Sequence, residues 1–417
     1  MKQIAIAICL LGFTGCVSSL RLSNQNMSEL YFEPIATLKA NFTAFNTSDS
    51  TTILFCAFNP NQLLFSREDG TDDFTAAYIL SFNLYPSFDS KELLDSGSFR
   101  FSYFKKEGLK EVIRSCDIKA ANLNKYLLEV SIFDVNRRQL SRSFINLEKT
   151  SQYTRQDFLV SSISRDKPCF NNIMHSKDKV SIEVNNPVIS QLRLTYFNKQ
   201  FPIAIPPFSV KPQSSAKYGP DSIVSVGVKE LREQGIKFDK TGVYHFQIDT
   251  AQKDGLTLFR YYDGYPRITR IEHMIGPLRY ITTKQEYSEM VLKENKKLAV
   301  DDFWLKITGT TERGKKVIKK FYNRVQMANT HFSSYLEGWK SDRGMIYIIY
   351  GPPDVVYKNN FSESWIYGEE GNLISLNFTF VKVNNLFTDN DFSLDRSPIY
   401  KNSWYLAVDA WRQGIIY

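Results

Sequence analysis

From about residue 31 to residue 165, apolar and polar positions alternate with a period of two. Leu80, Phe82 and Leu84 alternate with Ser81 and Asn83. Phe99, Phe101 and Tyr103 alternate with Ser98, Arg100 and Ser102. Leu128, Val130 and Ile132 alternate with Glu129 and Ser131, and after Asn136-Arg137-Arg138 a partner strand follows at Phe144-Ile145. Half-buried strands separated by turn signals predict an antiparallel β-sandwich of immunoglobulin-like type over 31–165, with Ser164–Pro168 as its exit linker.

A second run of alternation spans about 175 to 275. Val180, Ile182 and Val184 point one way and Ser181 and Glu183 the other; Leu192, Leu194 and Tyr196 repeat the device. Pro202, Pro206, Pro207, Pro212 and Pro220 make 202–220 mostly loop, since proline neither donates to a ladder nor sits inside a central strand. Alternation resumes at Gly242–Ile248 with Tyr244, Phe246 and Ile248 inward, which predicts a second small sandwich.

Near 283 the period changes. Thr283 and Glu286 have capping-box spacing, and Tyr287, Met290 and Val291 follow at helical intervals. A longer helix is expected from Thr311, with Val317, Ile318, Phe321, Tyr322, Val325 and Ala328 as its apolar stripe, ending before Gly338. Met345–Tyr350 is apolar on both faces and reads as a central covered strand. Gly351-Pro352-Pro353-Asp354 then forces a turn, and Ser364–Tyr367 opens the next strand. Glu369–Asn372 reads as a hairpin turn. Ile374, Leu376, Phe378 and Phe380 line one face of the last strand, and Trp404–Trp411 closes the chain as a helix or strand. The expected class is therefore multidomain and mainly β: two antiparallel β-sandwich domains (31–165 and 175–275), followed by an α+β domain over 276–417 with helices on an antiparallel sheet.

Composition narrows the class. The 417 residues are 43% hydrophobic and 23% charged, which is globular. The 31 Phe and 23 Tyr favour sheets with aromatic cross-strand pairs. A formal charge of +8 favours contact with anionic surfaces or acidic partners.

The N-terminus bears on compartment. Lys2 is followed by an apolar stretch, Ile4–Phe13, long enough for a signal sequence and too short to span a bilayer. It ends in Phe13-Thr14-Gly15-Cys16, which resembles a bacterial lipobox. That resemblance implies a signal peptide over 1–15, lipid (palmitate among the acyl chains) on Cys16, and a flexible tether over 16–30. Val17 supplies no acidic retention signal, so the outer membrane is the expected address, with the periplasmic or exterior side left open. Cys56, Cys116 and Cys169 allow at most one internal disulfide, and Cys56, within an apolar run, is expected as a buried thiol.

The densest cluster is Gly338–Gly344. Asp342 and Ser341 are suited to accept backbone N–H groups in a tight turn. Trp339 is suited to seal the helix against the sheet with its indole N–H on a carbonyl, and Arg343 to pair with Asp342 or Asp354. The favoured reading is a structural corner between a helix and a strand. The functional alternative is a binding notch made by Trp339, Ser341, Asp342, Arg343 and Asp354. No nucleophile–base pair or facing carboxylates accompany it, so no catalytic residue is assigned. His175, His245, His273 and His331 are isolated, His245 on the polar side of its strand, and no metal ligand set or cofactor motif is seen. Glu369-Glu370 reads as a solvated turn and Asp301-Asp302 as a helix start. Lys315, Lys316, Lys319, Lys320 and Arg324 form a basic face opposite the apolar stripe, either simply solvated or attracted to membrane phosphates or an acidic partner. Nucleic acid is disfavoured because the aromatics here point inward.

Gly338-Trp339-Lys340-Ser341-Asp342, with Arg343–Asp354 after it, resembles the motif of the GWxTD-domain proteins of Bacteroidota, serine replacing threonine. Trp365 and Trp411-Arg412-Gln413-Gly414 extend the resemblance over the last third of the chain. It implies an exported protein, often a lipoprotein, with β domains ahead of the motif domain. The expected function is a non-enzymatic accessory or scaffold subunit of an outer-membrane protein complex for secretion or β-barrel assembly. The alternative is an exported carbohydrate-binding or carbohydrate-processing protein.

Overall fold

The computed structural model describes residues 21–32, 38–67, 73–105, 110–151, 153–198, 201–210, 219–249, 251 and 254–415. Cys16 and the segment 1–15, expected as a signal peptide, lie outside the described residues. Two antiparallel sheets face each other in the first unit. One contains Ala40–Asn46, Thr51–Phe58 and Val112–Lys119; the other is built on Phe74–Tyr85, Asp95–Phe104, Lys125–Asp134 and Gln139–Glu148. The period-two pattern sets the register: Leu80 lies opposite Ile132 and Phe82 opposite Val130. Cys56 and Phe58 from the first sheet pack on Tyr78, Leu80 and Ile132 from the second. Cys56 is buried, and burial, with Cys116 nearby, pushes its thiol up to about 12. Cys56, Cys116 and Cys169 are all free thiols.

A second pair of four-stranded sheets follows. Lys179–Val184 pairs with Phe158–Ser162, and Gln191–Phe197 pairs with Gly242–Gln247 and Ser222–Gly227. Val160 and Ile182 meet Leu194, Phe246 and Leu258 in the core between them. Ser164–Pro168 is not a linker. It belongs to a hairpin, with Lys167–Pro168 paired back on Phe158–Ser162. A short helix, α1 (Val228–Glu233), follows Ser222–Gly227. The described part of the proline-rich stretch, 201–210, carries no helix or strand.

The C-terminal unit packs helices α2 (Glu272–Leu278), α3 (Lys284–Leu292), α4 (Lys296–Thr308), α5 (Thr311–Phe332), α6 (Asp342–Tyr350) and α7 (Tyr400–Arg412) with an antiparallel sheet. The sheet runs Val355–Lys358, Ser362–Tyr367, Leu376–Lys382, Phe392–Leu394 in order. The chain is thus mainly β, with several antiparallel sheets and a helix-bearing C-terminal region. Thr283 and Glu286 close the expected capping box on α3. On α5, Val317, Phe321, Tyr322, Val325 and Ala328 are buried as the stripe requires.

Several local expectations are corrected. Met345–Tyr350 is not a strand but most of α6, wholly apolar because the helix is covered all round. Ser341 caps it, and Gly351, at φ 93°, ends it. Asp301 and Asp302 lie inside α4, which Asn295 caps instead. Ile374 is exposed and precedes the Leu376–Lys382 strand, whose inward residues are Phe378 and Phe380. A further strand, Phe392–Leu394, follows it.

The largest correction concerns the tether. Residues 21–32 are not a free linker but a strap on the C-terminal unit, with single helical turns at Leu22–Asn24 and Ser28–Leu30. Leu22, Met27 and Tyr31 are buried in the same core as Trp365, Phe332 and α6. The Met27 amide donates to the Val356 carbonyl at 2.8 Å, and Val356 N–H donates back to Asn26 Oδ1 at 3.0 Å. Arg142 of the first unit reaches the strap through Gln25 and Glu29, so the strap also fastens the two units together.

Candidate functional site: a buried ionic corner

The two glycines of the corner are required by contact rather than by turn freedom. A Cβ on Gly338 would lie 2.0 Å from the Ala328 carbonyl oxygen, and one on Gly344 would lie 1.9 Å from the Gly338 carbonyl oxygen. The chain leaving α5 therefore presses directly on the first turn of α6. Ser341 joins them: its hydroxyl donates to the Gly338 carbonyl at 2.7 Å and accepts from Gly344 N–H at 3.0 Å, satisfying one of the orphan donors of α6.

Trp339 packs elsewhere than the helix–sheet seam. Its ring covers Gly276 in α2, where a Cβ would come within 2.8 Å, and its indole N–H donates to the Glu337 carboxylate at 2.7 Å, not to a carbonyl. Its backbone is held at both ends, by Asn329 Oδ1 and by the Tyr280 hydroxyl.

Asp342, at the first turn of α6, accepts Leu394 N–H at 2.8 Å and a two-pronged contact from Arg396. Arg396 also reaches the Ile205 carbonyl, and the Lys340 carbonyl accepts Ala204 N–H, so the loop at 201–210 is tied to the same corner. Arg343 pairs with neither Asp342 nor Asp354. It bonds Glu363 at 3.0 Å and the Asn390 carbonyl at 3.0 Å, with its guanidinium 4.0 Å from the Phe392 ring centre and 5.1 Å from that of Phe332. Such stacking suits a weakly hydrated planar cation. Asp354 is exposed and stands apart, its carboxylate accepting Gly368 N–H at 2.7 Å.

Glu363 is the centre of the network and was missed in the sequence. Oε1 accepts from Arg343 and from Lys358 (2.8 Å); Oε2 accepts from the Tyr31 hydroxyl (2.8 Å) and from the Trp365 indole (3.2 Å). Burial alone would raise this carboxyl, but Lys358 and Arg343 more than offset it and hold it at about 2. Tyr31 moves the other way: burial and the Glu363 charge push its hydroxyl up to about 12. The strap thus delivers a protonated phenol to an ionised, fully coordinated carboxylate. A group with every lone-pair site occupied and its proton affinity suppressed has little capacity as a general base.

The basic face is divided by the structure. Lys315, Lys316 and Lys319 are exposed and Lys320 is half-buried. Arg324 does not belong to an outward face. It donates to the Ile348 and Ile349 carbonyls at the end of α6 and lies over the Trp411 ring. Lys320, Arg324 and Trp411 line a cavity of about 520 Å³ between α5, α6 and α7. A second cavity, of about 510 Å³, opens where the three units meet, and Asn146, Arg155, Asn360, Phe361 and Asp389 are among its walls.

His245 is buried, with Nδ1 2.8 Å from the Thr257 hydroxyl. Among the described residues no group of three or more His, Cys, Asp and Glu is placed to hold a metal ion. No helix among them is long and apolar enough to cross a membrane. Glu370 receives the Tyr357 hydroxyl and, with Glu369, is exposed.

Residues 242–413 match the GWxTD domain family. The matched span begins inside the second pair of sheets, at the Gly242–Gln247 strand, and ends one residue past α7. No curated protein matches the chain.

Proposed function

Since residues 242–413 match the GWxTD domain family, we propose that the protein is a non-enzymatic envelope lipoprotein serving as an accessory or scaffold subunit of an outer-membrane protein complex for secretion or β-barrel assembly. The observation that carries this reading is the state of the motif's charged groups. Asp342, Arg343 and Glu363 are buried, Arg343 paired directly with Glu363 and Asp342 accepting the Leu394 N–H. The corner braces α5, α6, the sheet and the strap, as a scaffold requires.

Two further features support the reading. Ser222–Gly227 is an edge strand with Ile223 and Val224 exposed, a surface to which an extended partner segment can add by main-chain pairing. Lys315, Lys316 and Lys319 offer a cationic helix face to an acidic partner or to lipid phosphates. Lipid on Cys16 supplies the attachment, and several acyl chains hold where one would not.

Cross-linking in cells followed by affinity purification tests the proposal. Recovery of outer-membrane complex subunits with the palmitate-labelled protein is expected; recovery of lipid without any protein partner contradicts it. The cavity at the three-unit junction favours carbohydrate binding as the second reading, because its asparagines and the exposed Phe361 ring suit a sugar's hydroxyls and apolar face. Specific retention on a glycan array, abolished by Phe361→Ala, would favour that reading instead.

A further inference from the structure

Arg155 is half-buried and lines the cavity of about 510 Å³ at the junction of the three units. It opens a single helical turn, Arg155–Asp157, whose place is fixed by Asp157. Oδ2 of Asp157 accepts the Thr154 amide at 2.7 Å and the Thr154 hydroxyl at 3.0 Å. Oδ1 accepts the Asn46 amide at 3.0 Å and the Asn185 amide at 2.9 Å. Asn46 ends a strand of the first unit and Asn185 follows a strand of the second, so the turn is clamped between the two.

The carboxylates around this cation are engaged elsewhere. Asp157 is taken up by its own turn and the two asparagines. Glu148 pairs with Lys125, Asp389 lies 3.4 Å from Lys382, and Asp254 accepts the Ser151 hydroxyl at 2.7 Å. Among the described residues no acceptor takes a hydrogen bond from the Arg155 guanidinium and no carboxylate lies within ion-pair distance of it. Burial draws the guanidinium down to about 10, with the charge of Asp389 acting the other way, and it remains a cation at neutral pH. A desolvated charge without a partner costs free energy, and in a cavity wall a ligand can supply the partner.

The chemistry of the walls says which partner. A planar guanidinium matches a carboxylate in a two-pronged contact. The remaining charged walls balance, Lys125 and Lys382 standing with Glu148, Asp254 and Asp389, so a single negative charge suits the cavity better than a phosphate dianion. Asn146, Asn360 and Asn384 add neutral amides, which both donate to and accept from hydroxyls. Phe361 adds an exposed ring on a braced turn: Asn359 Oδ1 accepts the Phe361 and Ser362 amides at 2.8 Å each, and the Phe361 carbonyl accepts Lys382 N–H at 2.7 Å. We propose that this cavity binds an acidic sugar chain, with a uronate carboxylate on Arg155, hydroxyls on the asparagines and a sugar face on Phe361. The proposal rests on the carbohydrate reading above and narrows it to uronic acids. It requires binding without reaction, so a scaffold subunit can carry it.

Isothermal titration of the purified full chain tests this, with trimers of galacturonate, glucuronate and mannuronate, their methyl esters, and inorganic phosphate as probes. At least one acidic trimer should bind at least about tenfold more tightly than its ester, as a hydrogen-bonded charge requires. Arg155→Gln should bring the acid down to the level of the ester without lowering the melting temperature, since no internal partner of the guanidinium is lost. Phe361→Ala should weaken acid and ester alike, by about 3- to 10-fold. Equal binding of acid and ester, or a preference for acid that survives Arg155→Gln, overturns the uronate assignment and leaves the carbohydrate reading standing. Phosphate binding more tightly than every acidic trimer overturns the carboxylate as the partner of Arg155. A melting temperature lowered by Arg155→Gln contradicts the unpaired guanidinium on which the proposal stands. Binding of neither acids nor esters overturns the carbohydrate reading and the proposal with it.

Discussion

Tyr31 and Glu363 are 332 positions apart and share a 2.8 Å hydrogen bond between two buried side chains. The Tyr31 ring also sits 5.1 Å from that of Trp365 and 5.3 Å from that of Phe332, and its carbonyl accepts the Tyr347 hydroxyl at 3.0 Å. A segment preceding the first β unit therefore completes the core of the last one.

Tyr31→Phe removes one donor from an ionised, buried acceptor while keeping the ring. A loss of about 1.5–3 kcal/mol in unfolding free energy is expected, the range for hydrogen bonds to charged groups. Denaturant titration with unchanged slope measures it.

Glu363 makes stability pH-dependent in a defined direction. Its folded value of about 2 lies below the ordinary 4.5. Its contribution is therefore complete above about 4.5 and is lost as pH falls from there towards 2. Glu286, held down by Arg412, acts in the same window from a more exposed site, so the comparison is between wild type and Glu363→Gln. The variant should show a shallower loss of stability over this range. Near neutral pH it should already be weaker by about 3–5 kcal/mol, because Arg343 and Lys358 lose their buried counter-charge.

The corner glycines and the cap separate steric from hydrogen-bonding roles. Gly344→Ala drives a methyl into the Gly338 carbonyl and should cost about 3 kcal/mol. Ser341→Ala should cost about 1 kcal/mol through the lost cap, while Ser341→Thr, which keeps the hydroxyl, should change stability by less than about 0.5 kcal/mol. Thermal melting ranks the three.

Arg324 and its lysine neighbours should respond in opposite ways. Arg324→Met strips the end of α6 of its donor and lowers the melting temperature. Replacing Lys315, Lys316 and Lys319 with glutamine leaves melting unchanged, since all three are exposed, and weakens retention on anionic vesicles or heparin.

These residues also show what the sequence disclosed. Alternation at Leu80–Leu84 and Leu128–Ile132 located strands because one face of each is buried and the period is unambiguous. The capping box at Thr283 and Glu286 is a local code and was legible for the same reason. Met345–Tyr350 was misread because a short run apolar on all sides fits a covered helix as well as a covered strand. Ser341 at its start, Asp342 in the first turn and Gly351 at its end were the signals that favour the helix. The corner's partners were hidden by distance. Arg343 had nearby carboxylates at Asp342 and Asp354, yet the fold brings Glu363 to it and Arg396 to Asp342. The strap was invisible as structure because its buried residues, Leu22, Met27 and Tyr31, are spaced for a groove supplied by other parts of the chain.

The most direct test of the central claim, that residues 21–32 are an integral part of the C-terminal core, is native-state hydrogen exchange at the Met27 amide, which donates to Val356. The structure predicts exchange as slow as that of Met345 and Ile348 in α6, with all three accelerated together by Tyr31→Phe. Exchange of Met27 at the rate of an unstructured peptide, while α6 stays protected, would contradict it.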